Sequence, residues 1–367
     1  MNGMTKGFGG ILIAAGVLAA MMTGARADTT VTDIKGRSVS LSVPAKRIAI
    51  DDSRVLLALA LIHPDPVSVL AAWPKDVKRI GPQTYDTIRQ RFPAIEKLAQ
   101  VSSSQDPFRM ESVIEAAPDV MLVTSGRGPS ETQIEQLQSL HIPVLYIDFA
   151  DSHLAASMRL LGRLTDREAR TEEFLAFRDA HLALIASRLG TDPQPVPVFF
   201  EPHAGISEEC CLAPGKDDVN DLLRSVGGRS IASELLPGSS GHIAVEFIMQ
   251  RDPKVYIATG GSYLERAGGL VLGAGYTPDR ARESLARMAA RRGISELGAV
   301  KSGRVHGLAQ ELLHSPLSVI ATDALARWTR PDLFGDVDPA QTLAQINSRF
   351  LPFPLQGTYW IDLTGTP

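Results

Sequence analysis

The chain has 367 residues, and its 37 basic and 41 acidic side chains give a formal net charge of −4 at pH 7. This acidic balance argues against binding to nucleic acid or to anionic lipid, because both of these partners require basic patches. The length exceeds what one hydrophobic core usually organises, so we expect two domains.

The N-terminus has the pattern of an export signal. Lys6 precedes an apolar run over residues 11–22, and the run is followed by the small-residue sequence Ala25-Arg26-Ala27. This order is typical of a secretory signal peptide, which we assign to residues 1–27. The run is shorter than the about 20 apolar residues that span a bilayer, and no cysteine follows the cleavage site to carry a lipid anchor. We therefore expect an exported, unanchored protein whose net charge after cleavage is −6, since Lys6 and Arg26 are lost and no acid is.

Residues 28–164 are predicted to form an N-terminal α/β lobe. A β-hairpin is expected first, with strands at 30–34 and 38–43. Further strands are predicted at 47–50, 67–70, 120–124 and 144–148, and helices at 53–62 and 129–140. Strands that alternate with helices are typical of a parallel sheet.

Residues 165–190 predict one long connecting helix. Thr165 and Glu168 have the spacing of a capping box, apolar residues then recur at helical spacing, and Gly190 ends the pattern. A helix over 166–189 is about 36 Å long at about 1.5 Å per residue. One interpretation is an ordinary core helix. The interpretation we prefer is a strut between two lobes.

Residues 191–367 are predicted to form a second α/β lobe that resembles the first. Strands are expected at 196–200, 255–258 and 304–308, and helices at 219–226, 278–291 and 316–328. Residues 111–126 and 246–261 align at an offset of 135 residues and share a glutamate, a proline, a valine, a threonine and a glycine. The match is open to chance, because a helix, a proline and a strand often follow one another in α/β proteins. Together with the long helix it predicts two similar lobes.

Cysteine occurs only as the adjacent pair Cys210 and Cys211. An exported protein meets an oxidising environment. Neighbouring Cα atoms are nevertheless about 3.8 Å apart, which is below the usual disulfide range. The pair forms either a strained ring or two free thiols, and we expect the disulfide because the chain offers no other partner. No histidine–cysteine spacing typical of zinc occurs, so no metal site is predicted.

The loops that follow the predicted strands carry the candidate ligand-binding residues. In open α/β sheets, ligands bind beyond the carboxyl ends of the strands, and two such lobes would place these ends across a shared cleft. The candidate ligand-binding residues are Arg54, Trp73, Arg127, His203, Tyr263 and His314. Such side chains suit a bulky, planar or anionic ligand, through stacking and bidentate hydrogen bonds. No nucleophile elbow, P-loop or zinc-protease motif occurs, so no catalytic residue is predicted.

Taken together, these features resemble the class III periplasmic substrate-binding proteins of ABC importers, which take up ferric siderophores, cobalamin or haem. The resemblance rests on the opening hairpin and the segment 44–48, the paired glutamate–proline–strand segments, the long helix, and the segments 220–223 and 297–305. It implies an α/β fold of two Rossmann-like lobes joined by one long rigid helix, with only small closure on ligand binding. It also implies a periplasmic monomer that carries a ligand and no separate cofactor.

The resemblance further implies a permease-docking role for two glutamates. Family members dock onto arginines of the ABC permease through one glutamate on each lobe, and Glu111 and Glu246 match those positions by motif. The alternative is that each carboxylate only stabilises the start of its own helix.

The sequence leaves the identity of the ligand open. Our first choice is a ferric siderophore, an iron-containing chelate, because siderophore binders of this family favour arginines and aromatic residues in the cleft. Haem or a corrinoid comes next, since haem binders favour tyrosine or histidine. If the chelate is anionic, Arg54, Trp73, Arg127 and Tyr263 are expected to contact it. The alternative from another class is an exported enzyme that uses the two-lobed cleft.

Overall fold

A computed structural model describes residues 1, 3, 28–101, 107–124, 128–191, 194–207 and 210–364. Most of the predicted signal peptide lies outside these residues, and so does Arg127. Within the described ranges, no helix is both long enough and apolar enough to cross a membrane.

The N-terminal lobe opens with the predicted hairpin and continues as alternating strands and helices. Its strands are β1 Asp28–Thr32, β2 Ser38–Ser42, β3 Ile48–Ile50, β4 Leu70–Trp73, β5 Ala99–Gln100, β6 Val120–Thr124 and β7 Val144–Ile147. Its helices are α1 Ser53–Ile62, α2 Val77–Ile80, α3 Pro82–Arg91, α4 Met110–Ala116 and α5 Glu131–Ser139, with a short 3₁₀ helix at Pro93–Lys97. Two helices, α6 Asp151–Thr165 and α7 Glu168–Leu189, then lead to the second lobe.

The C-terminal lobe is built in the same way and has additional helices before its last two strands. Its strands are β8 Val196–Glu201, β9 Leu212–Pro214, β10 Gly228–Ser230, β11 Ser240–His242, β12 Val255–Gly260, β13 Gly273–Ala274, β14 Val305–Ala309, β15 Gly357–Thr358 and β16 Trp360–Asp362. Its helices are α8 Asp218–Ser225, α9 Val245–Arg251, α10 Pro278–Ala289, α11 Gly298–Lys301, α12 Ser318–Thr329, α13 Pro331–Phe334 and α14 Pro339–Arg349. Two 3₁₀ helices lie at Ser262–Ala267 and Gln310–Leu312.

The two lobes contain five-stranded sheets that share the order of four strands. The first sheet runs β5-β4-β3-β6-β7 and all of its pairings are parallel. The second runs β10-β8-β12-β14-β16, where β16 is antiparallel to β14. Strands β4-β3-β6-β7 therefore correspond to β10-β8-β12-β14. This correspondence confirms two similar α/β lobes, whose boundaries at 28–164, 165–190 and 191–367 stay predictions.

The internal repeat is visible in the backbone of both lobes. Helices α4 and α9 begin and end at positions 135 residues apart, and so do the starts of β6 and β12. Each helix ends in a left-handed residue, Ala117 with φ 42° and Asp252 with φ 39°. A proline follows in both copies and prevents the helix from continuing. The sequence match between the two segments therefore corresponds to a repeat in the structure.

Both faces of the first sheet are buried, which explains its continuous apolar strands. In β6, Val120 and Leu122 belong to one hydrophobic core, whereas Met121 and Val123 belong to a second core on the other face. Successive side chains of a strand point to opposite faces, so a parallel sheet covered on both sides needs apolar residues throughout.

The start of the connecting helix differs from the prediction. Thr165 does not cap it. The residue is the last one of α6, and its hydroxyl donates a hydrogen bond to the Leu161 carbonyl at 2.7 Å. The chain then turns at Asp166, with φ 57°, and α7 begins at Glu168 without a side-chain cap. Threonine often returns its hydroxyl to the carbonyl four residues earlier, and here that bond competes with the predicted capping box.

Helix α7 contacts both lobes along its length. It packs against α1 and α6, which precede it in the chain, and against α12 and α13 of the second lobe. Phe174 lies edge-on to Phe350, with ring centroids 5.4 Å apart. Near its end, Arg188 forms an ion pair with Asp336 at 2.5 Å. The helix is thus tied to both lobes, while the rigidity of the connection stays a prediction.

Strand β4 lies three residues later than predicted. The pattern indicated a strand at 67–70, but the strand runs from Leu70 to Trp73. Val67 instead takes part in a turn, where its carbonyl accepts a hydrogen bond from the N–H of Leu70 at 3.1 Å. Trp73 is therefore part of the sheet and not of the loop that follows it.

Candidate functional site

A cavity of about 770 Å³ lies where the carboxyl ends of strands from both lobes meet. The first lobe contributes the segments after β3, β4 and β7, and the second contributes those after β8, β12 and β14. The polar and charged residues of its lining are Arg54, Asp76, Arg79, Asp148, His203, Asp217, Asp218, Ser239, Ser240, Ser262, Tyr263, Gln310, Glu311 and His314. The cavity occupies the position at which open α/β sheets bind ligands.

The structure brings four of the six sequence-predicted ligand residues to this cavity. Arg54, His203, Tyr263 and His314 all line it. Trp73 is only 1% exposed, stacks on Tyr85 with ring centroids 5.7 Å apart, and does not line the cavity. Its place in the strand explains this, because it puts the indole into the core. The sixth residue, Arg127, lies outside the described part of the chain.

Arg54 belongs to an ionic network at the start of α1. Asp52, which is 2% exposed, caps this helix by accepting the N–H of Arg54 at 2.8 Å. The same carboxylate binds the guanidinium of Arg54 at 2.7 Å and that of Arg79 at 3.1 Å. Arg79 also pairs with Asp76 at 2.9 Å. Burial favours the neutral acid, but the two arginines outweigh it and hold the pKa of Asp52 below its ordinary value.

The guanidinium of Arg54 also links the two lobes. Its Nη1 donates to the backbone carbonyl of His314 at 2.7 Å, while Nε and Nη2 donate to Asp52. The forked donor set that we expected to bind a ligand is thus largely occupied by the protein itself. A ligand would have to compete with these charge-assisted bonds.

His203 and Tyr263 form a pair on the C-terminal side of the cavity. His203 has a left-handed backbone, with φ 53°, and its N–H donates to the hydroxyl of Thr259 at 3.0 Å. Its Nδ1 lies 2.5 Å from the phenolic oxygen of Tyr263. Burial raises the pKa of Tyr263, and the nearby charge of Glu311 raises it further. The phenol therefore stays protonated at neutral pH.

His314 faces a group of carboxyls at the start of α8. Its backbone is also left-handed, with φ 49°, and its Nε2 lies 3.6 Å from Asp217. Asp217 caps α8 by accepting the N–H of Val219 at 2.9 Å. Burial raises the pKa of Asp218; the charges of Asp217 and Asp148 add to this, while His314 opposes it. These acidic residues are cavity components that the sequence reasoning missed, although an acidic pair at a helix start was visible.

Glu311 is a second residue that the sequence reasoning did not select. It lies in the 3₁₀ helix Gln310–Leu312 that follows β14, and accepts the N–H of Ala274 at 3.0 Å. A Cβ atom at Gly81 would lie 3.2 Å from its carboxylate, and one at Gly273 would lie 2.6 Å from it. Both glycines also have positive φ, so each is required for close packing as well as for backbone conformation. Burial raises the pKa of Glu311 to about 7.

The two cysteines are joined in a disulfide. A cis peptide bond connects Cys210 to Cys211, and their Cα atoms are 3.1 Å apart. The estimate of about 3.8 Å assumed the trans bond, and a cis bond shortens the distance to about 2.9 Å. Cys211 is buried, and its backbone exchanges hydrogen bonds with Ile243. The expected disulfide is thus the form in which the structure holds the pair.

Glu201 lies close to both sulfur atoms, and the three residues are the one potential metal-ligand group in the described ranges. Its carboxylate, however, receives Arg291 at 2.8 Å and 2.5 Å and the hydroxyl of Tyr256 at 2.5 Å. A carboxylate paired in this way, beside sulfurs held in a disulfide, has no ligand atoms to spare for a metal ion. We interpret the group as a buried structural ion pair.

Glu111 and Glu246 occupy equivalent positions in the two lobes. Each is the second residue of its helix, α4 or α9, and each is exposed. Neither forms an ion pair with another residue in the described part of the chain. One turn further on, Ile114 and Met249 are also equivalent, and they are 37% and 43% exposed. Each lobe therefore presents a carboxylate next to an apolar side chain.

Comparison with known proteins agrees with this architecture. Residues 59–312 match the model of the family described as periplasmic binding protein. The TroA-like periplasmic binding protein FepB from Veillonella parvula is similar in structure, with a TM-score of 0.82 at 23% identity over 91% of this chain and 99% of that one.

Two further solved structures have the same fold. MolA of Haemophilus influenzae, bound to molybdate, has a TM-score of 0.67 at 17% identity over 90% of this chain and 100% of its own. A periplasmic haem-binding protein of Pseudomonas aeruginosa has a TM-score of 0.56 at 18% identity over 88% of this chain and 99% of its own. The family match covers more than half of the chain, and the resemblance drawn from the sequence is confirmed. The chain belongs to the periplasmic binding protein family.

Proposed function

We propose that this protein is the periplasmic solute-binding component of an ABC importer that captures an iron chelate, with a ferric siderophore as the first candidate. The observation that carries the proposal is the cavity of about 770 Å³ between the two lobes. Its size falls within the roughly 300–1,000 Å³ of small-molecule sites. The named relatives are binding proteins, which supports transport over the alternative of an exported enzyme.

The lining supports a ligand that contains a metal. His203, His314 and Tyr263 offer imidazole and phenol groups at the cavity wall, and imidazole is a good ligand for iron. Haem or a corrinoid is the second candidate. Two structurally similar proteins bind molybdate and haem, so this fold accommodates solutes of different chemistry.

The proposal is tested by identifying the ligand that the exported protein carries. The protein should be purified from the periplasm of its native host without unfolding, and its metal content and visible spectrum measured. A ferric siderophore predicts one iron per chain and a broad charge-transfer band, whereas haem predicts a Soret band. A ligand-loaded protein that contains no iron would overturn the iron-chelate proposal.

Delivery to the permease involves Glu111 and Glu246. Helices that connect parallel strands run antiparallel to them, so the N-termini of α4 and α9 point toward the carboxyl ends of the strands, where the cavity lies. Two exposed carboxylates at equivalent positions suit a permease with two equivalent subunits, each offering an arginine. The adjacent Ile114 and Met249 would add an apolar contact on each side. The alternative role, stabilisation of each helix start, contributes about 0.3–1 kcal/mol.

A further inference from the structure

We propose that the inter-lobe cavity selects a solute of positive net charge, of the class of cationic metal complexes. This inference rests on the proposed function of solute capture and specifies the charge of the captured solute. It differs from the sequence-based expectation of an anionic chelate held by arginine forks.

The arginines of the described cavity lining are already neutralised. Arg54 and Arg79 share the carboxylate of Asp52, at 2.7 Å and 3.1 Å, and Arg79 also binds Asp76 at 2.9 Å. Two guanidinium groups thus meet two carboxylates in a closed network. Because an anionic ligand would have to break these buried pairs, the arginines do not make the cavity attractive to anions.

Three aspartates of the lining have no such partner. Asp148, Asp217 and Asp218 all line the cavity, and none forms an ion pair with lysine or arginine in the described residues. Glu311 also lines the cavity, but burial raises its pKa to about 7, so it is not counted as a full negative charge. Within the described part of the chain, the basic group within ion-pair distance of these aspartates is the imidazole of His314, 3.6 Å from Asp217. Asp148 also interacts electrostatically with Arg54, whose ion pair is with Asp52. A cavity with unpaired carboxylates and protein walls concentrates negative potential, which attracts cations.

These carboxyls come from both sides of the cleft. Asp148 follows β7 of the first lobe, whereas Asp217 and Asp218 open α8 of the second. Burial raises the pKa of Asp218, and the charges of Asp217 and Asp148 raise it further, so these groups repel one another across the gap. A cation between them would replace this repulsion by attraction to both lobes at once. A positively charged ligand would therefore also favour closure of the lobes around it.

The experiment compares two probes that differ in the sign of their charge. Hexaamminecobalt(III) and hexacyanocobaltate(III) are octahedral complexes of the same metal with opposite threefold charges. Each is titrated calorimetrically into the full-length exported protein, freed of its native ligand, at low ionic strength because salt screens such interactions. We expect saturable binding of the cationic complex and none of the anionic one. Binding of the anionic complex, equal binding of both or no binding of either would overturn the inference.

Two variants show whether binding takes place in the cavity. Asp217→Asn with Asp218→Asn removes two cavity charges, and asparagine retains the cap of α8. We expect the affinity for hexaamminecobalt(III) to fall about tenfold, as the loss of two nearby charges predicts. The matched control is Asp279→Asn with Glu283→Gln on α10, whose side chains are 98% and 63% exposed outside the cavity lining. An equal loss in the control would place the probe on the general surface and refute the cavity assignment.

The native ligand separates failure of this inference from failure of the proposed function. An iron chelate of negative charge, recovered from the exported protein, would overturn the charge inference and leave the iron-chelate function intact. A cationic ligand without iron would overturn the iron-chelate function and leave the charge inference intact.

Discussion

At the scale of single residues, Glu311 is the titratable group whose environment bears most directly on the cavity. It is packed against Gly81 of the first lobe and Gly273 of the second, and burial raises its pKa to about 7, above the ordinary 4.5. A carboxyl with a raised pKa in the folded state favours folding most when it is protonated. Its contribution is complete below about pH 4.5 and is lost as the pH rises through 7.

Replacement of Glu311 by glutamine is therefore expected to stabilise the protein only at higher pH. Glutamine can still accept the Ala274 N–H but cannot ionise. The melting temperature of the variant should equal that of the wild type near pH 4.5 and exceed it at pH 8. The underlying difference in unfolding free energy at pH 8 is on the order of 1–3 kcal/mol. Thermal melts across this pH range test the prediction, with the exposed Glu283→Gln as control, and parallel curves for Glu311→Gln and the wild type would contradict it.

A second residue-scale prediction concerns the phenol of Tyr263. Tyr263→Phe removes the hydroxyl that lies 2.5 Å from His203 and leaves the ring in place. If this pair contacts the ligand, affinity for the native chelate should fall about tenfold. The variant should stay folded, because one hydrogen bond contributes only about 1 kcal/mol to stability. The control is Tyr276→Phe, whose hydroxyl bonds Glu265 at 3.1 Å and does not line the cavity. Calorimetry that finds equal affinities for both variants would remove Tyr263 from the site.

At the scale of elements, the repeated helices α4 and α9 carry the proposed docking surface. Each begins one residue before an exposed glutamate and exposes an apolar side chain one turn later. Because the two helices occupy the same place in similar lobes, their exposed groups are related as a pair. A surface repeated in this way suits a partner that is itself built from two like subunits.

Charge reversal at both docking glutamates is expected to abolish uptake without affecting ligand binding. In Glu111→Arg with Glu246→Arg, attraction to permease arginines becomes repulsion, which costs several kcal/mol at an interface. Ligand affinity and melting temperature should stay close to wild type, because both side chains are exposed. Uptake by cells is the measurement, and Glu135→Arg with Glu283→Arg, one exposed residue per lobe, is the control. Normal uptake by the first variant would refute the docking role.

At the scale of the whole molecule, we expect the connection between the lobes to limit how far they move. Helix α7 packs against helices of both lobes, and Arg54 bridges the cleft to His314 at 2.7 Å. A hinge that opened widely would have to break this packing over much of the 22-residue helix. We therefore expect ligand binding to involve small closure rather than a large rotation.

Small-angle X-ray scattering tests this prediction. The radius of gyration of the exported protein should be nearly the same with and without its native ligand. The proline variant Ala180→Pro, near the middle of α7, is expected to kink the helix and to enlarge the difference between the two states. A closure of tens of degrees in the wild type would contradict the rigid connection.

Local pattern accounted for most of the fold. Helix α1 and strand β6 lie at the predicted residues, and the other predicted strands lie within a few residues of their expected bounds. Such elements are readable because apolar periodicity and proline or glycine stops act over short stretches of chain. The start of α7 and the position of β4 were misplaced because competing local signals, the hydroxyl of Thr165 and the turn at Val67, are decided by packing.

The sequence by itself determined the two-lobed α/β architecture and the repeat, since these follow from hydrophobic patterning. Only the tertiary structure decided the character of the cavity. Arg54 and His314 are 260 residues apart in sequence, yet they share a hydrogen bond. An arginine is free to bind a ligand only if no carboxylate or carbonyl from a distant part of the chain already binds it in the folded protein. Likewise, Asp148 and Asp218 become neighbours only when both lobes are folded. Electrostatic pairing acts through space between segments remote in the chain, and so the charge of the site depends on the folded protein.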